Sequence, residues 1–152
     1  SQNLDSEGVN SNTLQLKEDG ILKNYLVDTY NRKKLNLKSN GRSGGTTNLY
    51  FEKGNISYED LMKKNSRSLY ITETIGHGSN IVTGDYSVGA TGFLVEDGEF
   101  KYPVNEITIA GNFKDMFKNI ILANDLEFEY SVNSPTMMIE GMTVAGKWVV
   151  IV

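Results

Sequence analysis

The sequence predicts an α+β domain made mostly of antiparallel sheet, sandwich- or barrel-like, with two or three short helices. Two observations lead there. Short β-prone runs recur between glycine-bearing turns, most densely from Ser68 to Ile109, while apolar residues spaced at three and four occupy only brief stretches. No run approaches the roughly 20 apolar residues of a membrane span, and no internal repeat stands out.

The elements follow in chain order. Thr13–Lys17 and Ile21–Val27 are two alternating runs joined by Glu18-Asp19-Gly20, a hairpin signature. Asp28 and Thr29 can cap a short helix over Asn31–Leu35, and Lys38–Thr47 has the turn chemistry of a mobile loop. Asn48–Glu52 alternates as a strand does. Ser57 with Asp60 three residues later resembles a capping box, predicting a helix over Tyr58–Lys64. Ser68–Ile109 should form a meander with a hairpin turn at Val95–Gly98. In Asn112–Leu122, Phe113, Met116, Phe117, Ile120 and Ile121 make one apolar stripe, so the spacing predicts a helix there, its stripe facing the core. Phe128–Val132, Thr136–Glu140, Met142–Ala145 and Lys147–Val152 then follow as strands. The uniformly apolar Trp148–Val152 is expected to be a buried strand, the alternatives being an interface strand or an aggregation-prone segment.

At 152 residues the chain suits one domain, large enough to bury about 70% of its unfolded surface. An apolar share of 39% with 15 Gly and 2 Pro fits neither a disordered nor a collagen-like profile. Nineteen acidic residues against 15 basic ones leave a net charge of -4, which disfavours nucleic acid as a partner. The absence of cysteine excludes disulfides, thiolate zinc sites and thiol nucleophiles from this chain. Together with a polar start at Ser1–Asn12, it points to the cytoplasm and away from membranes.

The inventory of reactive groups is short. A hydrolytic zinc needs about three protein ligands and an open position, and His77 is the single histidine. A triad would need His77 beside Ser79 or Ser87 and an acid such as Asp85, and nothing in the spacing brings them together. On its Gly76-His77-Gly78 turn, His77 is more simply a hydrogen-bonded loop residue. The glycines of Lys38–Thr47 lack the spacing of a phosphate loop. The basic clusters Arg32–Lys34 and Lys63–Lys64 fit solvated helix faces.

Seven segments resemble the PmbA/TldE branch of the TldD/PmbA family, in that family's order. They are Leu4–Val9, Leu26–Tyr30, Thr72–Gly78, Val82–Phe93, Tyr102–Asn112, Asn124–Phe128 and Ser134–Gly146. The resemblance covers nearly the whole chain and implies the C-terminal β-rich domain of a longer protein whose N-terminal α/β domain is absent here. It further implies the subunit without metal ligands in a two-subunit zinc peptidase. Zinc then belongs to the TldD-type partner, which carries an upstream HExxxH helix and a cysteine near the C-terminal strands. Leu122–Val132, which would correspond to the cysteine-bearing segment, holds Asn124 and Asp125 instead. The expected partners are the TldD-type subunit and an unfolded peptide, within a homo- or hetero-oligomer. Glycines in Gly76–Gly92 allow another backbone to approach, so His77, Gly78, Asn80, Thr83 and Asp85 are the candidate peptide- or partner-binding residues. No catalytic residue, metal ligand or cofactor is assigned to this chain. The resemblance also carries an alternative, a non-enzymatic protein that modulates DNA gyrase or another target, and the lone imidazole leaves an enzyme built on His77 as a third reading.

Overall fold

Two Asp-Gly pairs set the hairpins. Asp19 and Gly20 have φ of 49° and 78°, and Asp97 and Gly98 have 52° and 84°, the doubly left-handed turn whose twist suits antiparallel strands. Each joins two strands by a two-residue loop, pairing Glu18 with Ile21 and Glu96 with Glu99. A computed structural model of the chain describes residues 3–146, so the Trp148–Val152 run lies outside the described residues. Those residues fall into two compact units.

The first unit holds the described residues up to Phe51 together with Phe128–Asn133. Its hairpin is shorter than the alternation predicts, with β1 at Lys17–Glu18 and β2 at Ile21–Leu22. Helix α1, Thr29–Lys34, starts where Asp28 accepts the Asn31 amide. The Glu7 carboxylate adds bonds from the Thr29 amide and hydroxyl, at 2.9 and 2.7 Å. Lys38–Thr47 forms neither helix nor strand, yet it is tied down. The Ser43 amide donates to Asp5 at 3.0 Å, and the Ser11 hydroxyl donates to the Gly41 carbonyl at 2.9 Å.

Strand β3, Leu49–Tyr50, pairs in parallel with Val132–Asn133, which is β8 in chain order. The strand expected over Phe128–Val132 does not form. Asn133 is buried, and its carboxamide oxygen accepts the amides of Glu129 and Tyr130 at 3.0 and 2.9 Å. Its nitrogen donates to the Tyr130 carbonyl at 2.7 Å, folding the preceding residues into a tight loop.

The second unit spans Glu52–Glu127 and continues from Ser134. Helix α2 occupies Tyr58–Lys63, capped by Ser57. The capping is one-sided: the Ser57 hydroxyl accepts the Asp60 amide and itself donates to the Asp60 carboxylate. The meander forms as predicted, with β4 at Arg67–Ile75, β5 at Asp85–Glu96 and β6 at Glu99–Asn112. With β10, Thr143–Ala145, these strands make an antiparallel sheet in the order β10-β6-β5-β4. One face carries Val88, Ala90, Leu94, Val104, Ile107 and Ile109, the buried core of this unit.

The long helix expected over Asn112–Leu122 is the clearest departure. Only Phe113–Met116 is helical (α3), capped by Asn112, whose side chain accepts the Lys114 amide. The Asn119 amide closes the last turn, and Ile120–Leu122 becomes β7, antiparallel to β9 at Met137–Ile139. Spacing at three and four suits one helix or a single turn followed by a strand. The β-branched Ile120 and Ile121 and a waiting partner strand decide for the second. The α+β class stands, with three short helices and mostly antiparallel pairing among the described residues. The strands form open sheets and close no barrel among the described residues.

Candidate functional site

The residues predicted to bind lie on the turn between β4 and β5. Gly76 and Gly84 take left-handed φ of 93° and 81° near its two ends. Gly78 lies against β5, its carbonyl accepting the Ser87 amide at 2.8 Å. A Cβ there would strike the Ser87 carbonyl and the Val88 side chain, so only glycine fits. The Asn80 amide donates to the Asp85 carbonyl and the Gly84 amide to the Asn80 carbonyl, both at 2.8 Å.

Side chains brace the same turn. The Asn80 carboxamide oxygen accepts the amides of Val82 and Thr83, at 3.0 and 3.2 Å. The Thr83 hydroxyl donates to Asp85 at 2.7 Å, and Asn112, arriving from the end of β6, donates to the second Asp85 oxygen at 3.1 Å. The Thr83 hydroxyl first, and the Asn112 amide second, hold the Asp85 carboxyl below its ordinary value of 3.8. Asp85 is therefore a fixed anion used as a brace.

Of the five predicted residues, Asn80, Thr83 and Asp85 form one network and Gly78 supports its base. His77 is exposed on the turn and joins none of it. No hydrogen bond links it to Ser79, Ser87 or Asp85 among the described residues, so neither the expected loop hydrogen bond nor a nucleophile-base pair is formed there. The residues that sequence reasoning passed over are Ile81, Val82 and Asn112. Ile81 and Val82, at the tip of the braced turn, are 91% and 90% exposed. Two adjacent β-branched aliphatics inside a glycine- and asparagine-rich turn were the available signal.

Asn124 and Asp125 sit in the second unit. Asp125 is occupied by Thr136, whose amide and hydroxyl donate to its two oxygens at 2.8 and 2.7 Å. Partial burial pushes this carboxyl upward, but the Thr136 bonds outweigh it and its pKa lies below the usual value.

Residues 1–146 match the family described as the PmbA/TldA metallopeptidase C-terminal domain. The chain belongs to that family. It is 43% identical over 145 residues to Metalloprotease PmbA of Escherichia coli O157:H7, covering 95% of this chain and 32% of that protein. A crystal structure from Thermotoga maritima, of a protein named as a candidate modulator of DNA gyrase, matches with a TM-score of 0.87. That match has 34% identity over 95% of this chain and 36% of the other. TldE from Thermococcus kodakarensis matches with a TM-score of 0.76 and 28% identity, over 95% of this chain and 36% of that one.

This PmbA/TldA domain spans about a third of the length of the curated relatives it matches. The family's metallopeptidase name implies a metal, and the donor set here does not fit one. The chain has one histidine and no cysteine, and no group of three His, Cys, Asp or Glu comes close enough to hold an ion among the described residues. No described helix is long and apolar enough to cross a membrane.

Proposed function

We propose that this domain belongs to the subunit without metal ligands in a two-subunit, TldD/TldE-type zinc peptidase that works in the cytoplasm. There it supplies part of the subunit interface and one wall of the groove that receives an unfolded peptide, while zinc and catalysis reside in the TldD-type partner. The observation that carries the reading is the braced turn from Gly76 to Asp85, which holds Ile81 and Val82 in water at 91% and 90% exposure. Two bulky aliphatics presented this way gain only when a partner covers them, each contributing about 1.5–3 kcal/mol on full burial. The 43% identity to Metalloprotease PmbA and the fold shared with TldE support the family side of the proposal.

The test uses the full-length protein and its TldD-type partner. Mixed at micromolar concentration, they should co-elute and cleave an unfolded peptide, and Ile81→Asp/Val82→Asp should abolish co-elution with the fold retained by circular dichroism. Wild-type subunits that do not retain each other refute the proposal. The Thermotoga maritima neighbour's name supports a second reading, modulation of DNA gyrase without proteolysis. A protease-free supercoiling assay unaffected by the full-length protein removes it.

A further inference from the structure

The first unit contains a polar recess of about 730 Å³, walled by residues of two segments, 4–11 and 41–48, that form no helix or strand. Polar bonds lock the two segments to each other. One Asp5 oxygen accepts the Ser43 amide at 3.0 Å, and the other accepts the Glu7 and Val9 amides at 3.0 and 2.9 Å. The Ser6 hydroxyl donates to the Ser43 hydroxyl at 3.1 Å, the Ser11 hydroxyl to the Gly41 carbonyl at 2.9 Å, and the Arg42 guanidinium to the Asn12 carbonyl. Gly41 is wedged as well, since a Cβ there would strike the Asn10 carbonyl. The recess is therefore held open by its own walls.

Around this frame, donors outnumber acceptors. Among the described residues no hydrogen bond uses the amides of Gly44, Thr46 and Thr47 or the two threonine hydroxyls. The Ser43 hydroxyl accepts from Ser6 and keeps its own proton to give. The guanidinium of Arg42 has five N–H donors, and the Asn12 carbonyl takes from one nitrogen. The acceptors, by contrast, are engaged: Asp5 by three amides and the Gly41 carbonyl by Ser11. Gly44 and Gly45 take left-handed φ of 90° and 101°, and beside the place of a Gly45 side chain there is open space. Their bare backbone lets a ligand atom come up to the amides.

A surplus of donors suits a ligand made of acceptors, and the charges select its kind. Arg42 is the single cation lining the recess and Asp5 the single anion. The Val9 amide first, with those of Ser43 and Glu7, outweighs burial and holds the Asp5 carboxyl below its ordinary 3.8. Asp5 is thus charged at neutral pH, and a dianion such as phosphate meets it less favourably than a monoanion does. We infer that the recess binds a carboxylate, of the kind a peptide C-terminus or a small organic acid carries. Arg42 would pair with it, and Gly44, Thr46 and Thr47 would donate to its remaining lone pairs. The volume exceeds what a bare carboxylate fills, so the body of the molecule has room behind its charged end. The inference rests on the first unit alone and stands whether or not the protein is a peptidase subunit.

The test titrates deuterated, amide-labelled full-length protein with trialanine, trialanine amide, acetate and inorganic phosphate, followed by calorimetry and by amide resonances. Trialanine and acetate should shift the Gly44, Thr46 and Thr47 amides, trialanine amide should not, and phosphate should bind more weakly than trialanine. Trialanine tighter than acetate assigns a peptide terminus, and equal affinity assigns a free acid. Arg42→Gln should weaken trialanine at least tenfold, and Arg42→Lys, which keeps the charge without the fork, should retain part of the affinity. Should Arg42→Gln disturb the Leu49 and Phe51 amides, and so the unit itself, the wild-type titrations decide alone. Trialanine and its amide acting alike, phosphate binding more tightly, no shift at the three amides, or undiminished affinity in an intact Arg42→Gln variant each overturns the inference.

Discussion

Replacing Asn133 with alanine should loosen the first unit selectively. The wild-type side chain makes three hydrogen bonds, accepting from the Glu129 and Tyr130 amides and donating to the Tyr130 carbonyl, at 3.0, 2.9 and 2.7 Å. Each such bond contributes about 1 kcal/mol net, and groups left unmet in a dry site cost more. Glu129 and Tyr130 are themselves exposed, so water can replace part of what alanine removes. The sum is about 2 kcal/mol, a change of about 30-fold in the local opening equilibrium. Native-state hydrogen exchange reads it out directly, because the Leu49 amide donates to the Ser131 carbonyl and the Phe51 amide to the Asn133 carbonyl. In the full-length Asn133→Ala variant those two amides should exchange about 30-fold faster, while amides in the β5–β6 ladder keep their rates. Asn133→Asp keeps an oxygen that can accept both amides and should recover part of the protection. Equal acceleration in both units, or none at Leu49 and Phe51, would show that the Asn133 network does not hold the β3–β8 pairing.

Leu94→Ala, at a position 1% exposed in the sheet core, should lower the denaturation free energy of the full-length protein by about 2–5 kcal/mol; a loss under about 1 kcal/mol contradicts the packing described. Asp85 has a folded pKa below its ordinary 3.8, so its brace contributes in full above that value and fades as pH falls through the lowered folded value. Amide resonances of Val82 and Thr83 should therefore hold steady from pH 7 to pH 5 and move only below about 4, and Asp85→Asn should abolish that step.

Much of the fold was legible because local chemistry dictated it. Asp-Gly at Asp19-Gly20 and Asp97-Gly98 placed both hairpin turns, and Ser57 and Asp28 placed two helix starts. The failures occurred where a distant partner decided. Ile120–Leu122 continued a helical stripe in the sequence and became a strand because Met137–Ile139 was available to pair with it. Phe128–Val132 had strand composition, but the Asn133 carboxamide captured its backbone. For the candidate site, Asn80, Thr83 and Asp85 were singled out through glycine spacing and family resemblance, and the structure joins them in one hydrogen-bond network. Asn112, 27 residues beyond Asp85, entered through the register of β5 on β6, which pairs the two residues directly. Its contribution was invisible to local reading.

The braced turn also bears on how the proposed interface role could work without reactive groups. Association costs conformational freedom, about 0.5–1.5 kcal/mol for each mobile side chain that becomes fixed. Ile81 and Val82 start with little to lose. Both are β-branched and stiff at χ1, and the Val82 amide is already held by the Asn80 side chain. Asp85, in turn, keeps its charge on Thr83 and Asn112 and away from the apolar tip. Under the proposed function, the hydrogen bonds of the turn would act on binding through preorganisation, without touching the partner. Asn112→Ala, which leaves both aliphatics in place, should weaken partner binding by a smaller factor than the double aspartate variant and chiefly through a less favourable entropy, measurable by titration calorimetry of the full-length subunits. Unchanged binding entropy in Asn112→Ala would show that the turn is rigid for reasons other than this network.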